Sequence, residues 1–294
     1  MRHTQLFLGE DNNDQTTFYN NIGPSGYQDT ALEIQHDEPR EIKMSRRVGV
    51  LNYKGGTGKT TTVVNLGAGL AARGKRTLCI DLDAQGSLAT YLGVSYTNSL
   101  AHVLLDQANL NDCIVQAREN LDLIPSDGNL LQAEGNMWRM QDNGIVRHIL
   151  ADKLGSIDDR YDYILIDFSP SVSLLSESGL RYIRELVVPV SMSYLAMVGI
   201  RQVIQRLKDI SQVPRNRARL YCVLPTIFSA RVQQDREVLS ILRRHFGHKV
   251  ANPIRKSLKL VEAPSHHQTI YEYSPRSNAA ADYTLLVERI LRNG

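Results

Sequence analysis

The feature that most constrains this chain is RVGVLNYKGGTGKTTTVVNL at residues 47–66. A short apolar run of strand type meets a turn containing Gly55, Gly56 and Gly58, and apolar residues then recur at helical spacing until Gly74 closes the pattern. Such a unit can fold only as strand, tight loop and helix. Glycines let successive backbone N–H groups converge on an anion, and the helix that follows aims its positive dipole end at the same point. The ordinary phosphate-loop pattern G-x-x-x-x-G-K-[ST] asks for glycine at position 53, where Tyr53 stands. The motif therefore departs from the standard form, and it carries a second lysine, Lys54, besides Lys59.

The same alternation continues along the chain. RTLCIDLD, LDLIPS, YDYILIDF, ELVVPVS and RLYCVLPTI read as strands, with helical segments such as LSESGLRYIR and MVGIRQVIQRLKDI between them. Runs that are apolar at consecutive positions suit strands covered on both faces, so the expected fold is α/β: a doubly wound, mostly parallel sheet with helices on both sides. At 294 residues and 42% hydrophobic composition, the chain is long enough for one such domain. We expect this domain at residues 46–294, preceded at 1–45 by a polar, acidic, poorly ordered extension with eight acidic side chains against Arg2, Arg40 and Lys43. Met44 would serve equally as a start. With no apolar run long enough to span a bilayer and no signal pattern, the expected location is cytoplasmic. Cys79, Cys113 and Cys222 have no metal or disulfide spacing and read as apolar filler, as does Trp138.

In a parallel sheet the carboxyl ends of the strands share one edge, where ligands collect. Asp81 and Asp83 stand at the end of one predicted strand, two residues apart and so expected on one side of an extended chain. Asp167 ends another. A carboxylate there suits Mg²⁺ held partly through water, with the Thr60 hydroxyl as a direct ligand while the metal bridges β- and γ-phosphates.

KGGTGKTT at 54–61, DLDAQGS at 81–87 and ILIDFSPS at 164–171 resemble the deviant Walker A ATPases, the ParA/MinD family; VLPTIFSAR (223–231) and IRKSLKLVEAPSH (254–266) resemble its ParA/Soj branch. The resemblance implies a P-loop ATPase that converts ATP and water to ADP and phosphate. Lys54, Gly55, Gly56, Thr57, Gly58, Lys59, Thr60 and Thr61 would form the nucleotide loop. Lys59 would hold the phosphates of its own nucleotide, and Lys54 would reach across an ATP-dependent homodimer to those of the partner. Asp83 would position the attacking water, with Thr60 and Asp167 organising Mg²⁺. Ala84, where D-x-D-P-Q is common, and Ser169, where two prolines often follow the aspartate strand, depart from the pattern at segments expected to respond to ATP.

Charge is unevenly spread. Residues 201–259 hold fourteen Lys and Arg against Asp209, Asp235 and Glu237, a balance of +11 within a chain whose net charge is +3. That field suits a phosphate backbone, and no aromatic pattern there suggests base stacking, which favours duplex DNA over single strands. By the same resemblance, Arg231 and Lys259 match positions that contribute to sequence-independent DNA binding, to which Arg255 and Lys256 are added as neighbours. The expected partners are a second copy of the chain, double-stranded DNA on the nucleoid and a ParB-type cargo adaptor, with no membrane. Two alternatives remain: MinD-like membrane positioning, which needs an amphipathic C-terminal helix, and a nucleotide-regulated repressor, which needs an added helix-turn-helix. A relative of the nitrogenase iron protein would need cysteines beside the switch segments, where none stands.

Overall fold

The computed structural model describes residues 44–139, 145–211 and 218–292. The expected acidic extension lies outside the described residues except for Met44 and Ser45, and Ser45 is already held, its hydroxyl donating to the carbonyls of Asp158 and Tyr161. Seven strands form one sheet: β1 (Arg46–Val50), β2 (Thr77–Leu82), β3 (Val115–Arg118), β4 (Leu121–Ile124), β5 (Tyr163–Phe168), β6 (Glu185–Ser191) and β7 (Arg219–Thr226), in the order β3-β4-β2-β5-β1-β6-β7. Every pairing is parallel except β3 with β4, so the doubly wound, mostly parallel sheet stands as expected. The antiparallel edge β3 has no counterpart in the sequence reading, because VQAR is four half-exposed residues without a clear apolar face.

The helices are α1 (Lys59–Ala71), α2 (Ser87–Leu92), α3 (Leu100–Leu104), α4 (Leu130–Arg139), α5 (Ile149–Leu154), α6 (Leu174–Tyr182), α7 (Ala196–Ser211), α8 (Gln233–Phe246), α9 (Leu258–Glu262), α10 (Ile270–Tyr273) and α11 (Asn278–Arg292). Successive strand residues face opposite sides, and two hydrophobic cores result. Leu78, Ile80, Ile164, Ile166 and Phe168 pack with α3–α8, whereas Cys79, Leu165, Val48 and Val50 pack with α1, α2, α10 and α11. This parity decides where the acids go. Asp81 shares the side of Cys79, and Asp167 that of Leu165, so both face α1.

Close packing keeps α1 in place. A Cβ at Gly67 would lie 2.9 Å from Cys79 Sγ and 3.2 Å from Leu121, so a larger residue there would push the helix off the sheet. All three cysteines are buried and unpaired, consistent with filler. Trp138 is not: it is 56% exposed on the outer side of α4, where Ala133 and Met137 occupy the inner face.

Candidate nucleotide site and basic surface

β1 delivers its chain to the carboxyl edge of the sheet, where Gly56 (φ 70°) and Gly58 (φ 85°) adopt the left-handed backbone needed to turn the loop into α1. No side chain caps α1 and no acid occupies its first turn, leaving its leading N–H groups and dipole for an anion. The loop is latched from β7, where Thr226 Oγ1 donates to the Thr57 carbonyl at 2.9 Å. Lys59 is buried, only 8% exposed, and its ammonium donates to the Lys54 carbonyl at 3.4 Å, a long bond that a phosphate oxygen can replace. Burial lowers the Lys59 pKa, while the carboxylates of Asp167 and Asp83 oppose that shift.

The two lysines differ in burial. Lys54 is exposed with Gly55 and Gly56, and its ammonium donates to Ser193 Oγ at 3.2 Å, just beyond the end of β6. Thr60 and Thr61 are half-buried in the first turn of α1. One lysine serves the interior of the loop; the other has its charge at the surface.

Asp81 and Asp167 are direct register partners across β2 and β5, both buried. Burial is the main reason the Asp167 carboxyl sits well above the usual range; Asp81 raises it further, while the Thr60 hydroxyl and Lys59 pull the other way. Asp167 Oδ1 has no hydrogen-bond partner among the described residues. An orphaned buried carboxylate oxygen beside the Thr60 hydroxyl fits a hard divalent cation such as Mg²⁺.

Asp81 and Asp83 do different work from the shared face expected of them. β2 ends at Leu82, so strand parity no longer places Asp83. The buried Asp81 carboxylate turns inward and accepts N–H bonds from Asp83 at 2.9 Å and Leu88 at 3.0 Å, clamping the intervening turn. Burial pushes its pKa to about 7, against the lowering effect of those two bonds. Asp83 remains half-exposed, its carboxylate accepting from Gln85 N–H at 3.1 Å. After β5, Ser169 Oγ pairs with Ser171 Oγ at 2.6 Å and accepts Ser171 N–H at 3.3 Å, a local tie of the turn.

The basic residues gather on another part of the surface. Phe228 N–H donates to Ile254 O and Lys256 N–H to Phe228 O, so the loop carrying Arg231 runs beside the segment of Arg255 and Lys256, which leads into α9 and Lys259. All four are exposed. Arg231 has no hydrogen bond or ion pair among the described residues, whereas Lys259 pairs with Glu262 at 2.9 Å. Arg255 is the most committed, its guanidinium gripping both carboxylate oxygens of the buried Asp282 on α11 at 2.6–3.1 Å. Sequence reasoning missed that pairing, as it missed Ser193 and Thr226, because partners 27 to 169 positions apart leave no local pattern.

Comparison with known proteins agrees with this geometry. Residues 45–220 match a family model described as an AAA domain. The chain is 35% identical over 257 residues to the sporulation initiation inhibitor protein Soj of Bacillus subtilis (strain 168), covering 85% of this chain and 100% of that one. It is 34% identical over 247 residues to the chromosome-partitioning ATPase Soj of Thermus thermophilus, covering 84% and 95%. Among solved structures, cobyrinic acid a,c-diamide synthase of Mycobacterium smegmatis with bound ADP and magnesium superposes with a TM-score of 0.72 at 28% identity, over 85% of this chain and 95% of that one. Loop, paired acids and relatives together establish that the chain belongs to the ParA/MinD family of ATPases, in its Soj/ParA branch.

Proposed function

We propose that this ATPase closes into a homodimer around ATP, that the dimer holds duplex DNA of any sequence on the nucleoid, and that a ParB-type adaptor on the cargo stimulates hydrolysis and release. The observation that carries this reading is the division of labour between Lys59, buried within the loop, and Lys54, exposed on its outer side. A single nucleotide needs one such lysine. Two loops facing each other would bring like-charged triphosphates together, and an outward ammonium from each subunit offsets that repulsion.

Within one subunit, Lys59 and the first amides of α1 would hold phosphate, and Thr60 and Asp167 would hold Mg²⁺. The bound ion supplies charge stabilisation for the phosphoryl group. Asp83 orients a water, whose oxygen bonds to the γ-phosphorus as the bond to the ADP oxygen breaks and one water proton passes to a phosphate oxygen. Positioning and charge carry the catalysis, so Asp81 contributes by holding the backbone of Asp83.

Arg231, Lys256 and Lys259 supply the duplex contacts, with Arg255 restrained by Asp282. A lipid surface is a poorer partner than DNA. The apolar face of α11 is already committed through buried Tyr283, Leu286, Val287 and Ile290, each stabilising the fold by about 1.5–3 kcal/mol.

Retention of random-sequence duplex at increasing salt tests the reading. About three phosphate contacts per subunit give a log–log slope of roughly −2.7 with ADP and −5.4 for the ATP-bound dimer. Equal slopes with either nucleotide would contradict it.

A further inference from the structure

We propose that Asn52 is a positioning residue for Lys54, setting the direction of the outward lysine from beneath the loop. The inference rests on the dimer role given to Lys54 above. In the parallel ladder between β1 and β6, Leu51 N–H donates to Val187 O at 3.2 Å, and continuing the register would bring the N–H of residue 53 to Pro189 O. The chain leaves the sheet there to form the loop. The Asn52 carboxamide takes over, its Nδ2 donating to Pro189 O at 2.8 Å while its Oδ1 accepts the Lys54 N–H at 3.0 Å.

The two partners fix the orientation of the amide, since a carbonyl can only accept and a backbone N–H can only donate. Asn52 is 2% exposed, its bond to Pro189 O is buried and its bond to the Lys54 N–H is partly buried, so water competes little for the amide. The ammonium of Lys54, in contrast, has one exposed bond to Ser193. Direction is therefore set at the backbone, and the long side chain remains free to exchange Ser193 for a phosphate. From the far side, Gly199 on α7 leaves room for this arrangement: a Cβ at that position would lie 3.1 Å from Asn52 Oδ1.

Asn52→Ala removes both bonds, and Gly199→Ala presses on the same amide from a different element. ATP affinity and association with a non-hydrolysable analogue are measured for both variants, alone and combined with Lys54→Ala. Loss of a buried amide bonded through both its nitrogen and its oxygen should weaken ATP-dependent association about tenfold for Asn52→Ala, with a smaller loss in the same direction for Gly199→Ala. ATP affinity should stay within about threefold, because the bonds of the Asn52 side chain go to Pro189 O and the Lys54 N–H and not to Lys59 or the α1 amides. In the Lys54→Ala background neither change should weaken association further. Equal loss in both backgrounds, or a parallel fall in ATP affinity, would assign Asn52 a merely structural role and overturn the proposal. Should Asn52→Ala fail to fold, Gly199→Ala decides alone: undiminished association, or a loss that persists without Lys54, rejects the proposal. If Lys54→Ala itself associates like wild type, the dimer role of Lys54 falls and this proposal with it, whereas intact association in Asn52→Ala and Gly199→Ala alongside a defective Lys54→Ala rejects this proposal alone.

Discussion

The nucleotide edge and the basic surface are both proposed to meet phosphate, yet they are built by opposite means. At the edge, Lys59, Asp81 and Asp167 are buried, and each acts on its neighbours through a specific bond or a shifted pKa. On the basic surface Arg231, Lys256 and Lys259 are exposed, and the bond that holds Lys259 is an ion pair that water and salt can open. A site for one small anion is selective because its groups are fixed before the ligand arrives. A surface for a polymer needs density of charge, and its members can be exchanged.

The comparison breaks first at the basic surface if it is wrong. Arg231→Ala with Lys259→Ala removes four contacts from a dimer, which should flatten the DNA salt slope by about 3.6 and weaken retention about a thousandfold near 0.15 M salt. ATP turnover without partners should stay near wild type, since neither residue contacts the loop. Retention that is unchanged at that salt would place the DNA contacts elsewhere. Asp83→Ala tests the other region: hydrolysis should fall about a hundredfold or more while ATP binding persists, because a water-positioning carboxylate acts only in the chemical step. Turnover close to wild type in a single-turnover assay would remove Asp83 from that role.

A third cluster sharpens the contrast, being cationic yet directed inward. Glu177 on α6 accepts from Arg147, Arg181 and Arg206. Burial opposes its ionisation, but the Arg181 hydrogen bond and the charges of Arg206 and Arg147 outweigh it and hold the carboxyl below its ordinary value. A depressed carboxylate stabilises the fold above the unfolded value of about 4.3 and loses that contribution as pH falls through the folded value. Glu177→Gln should therefore cost about 2 kcal/mol near pH 7, with the difference from wild type closing below about pH 4. Thermal unfolding at several pH values reads this directly; a gap independent of pH would mean that packing, not charge, accounts for the loss.

Legibility in the sequence follows the same division. The strand–loop–helix unit and the strand-end acids could be read because local spacing, glycine chemistry and apolar runs specify them residue by residue. β3 could not, since four half-exposed residues at a sheet edge carry almost no period. The inward turn of Asp81 was hidden by the assumption that strand geometry runs through Asp83, although β2 stops at Leu82. For the basic surface, sequence supplied the charge but not its pairing: the grip of Asp282 on Arg255 depends on tertiary contact. Residue type alone reads Trp138 as a packing residue, and its place on the outer side of α4 shows how little type says without a face.

The central claim is that the outward lysine joins two subunits through nucleotide. Sedimentation of the Lys54→Ala protein with a non-hydrolysable ATP analogue and Mg²⁺, beside wild type, tests it most directly. The account predicts dimers for wild type at concentrations where the variant, still binding nucleotide, is monomeric, its association being weakened rather than beyond measurement. A variant that dimerises as tightly as wild type would contradict it.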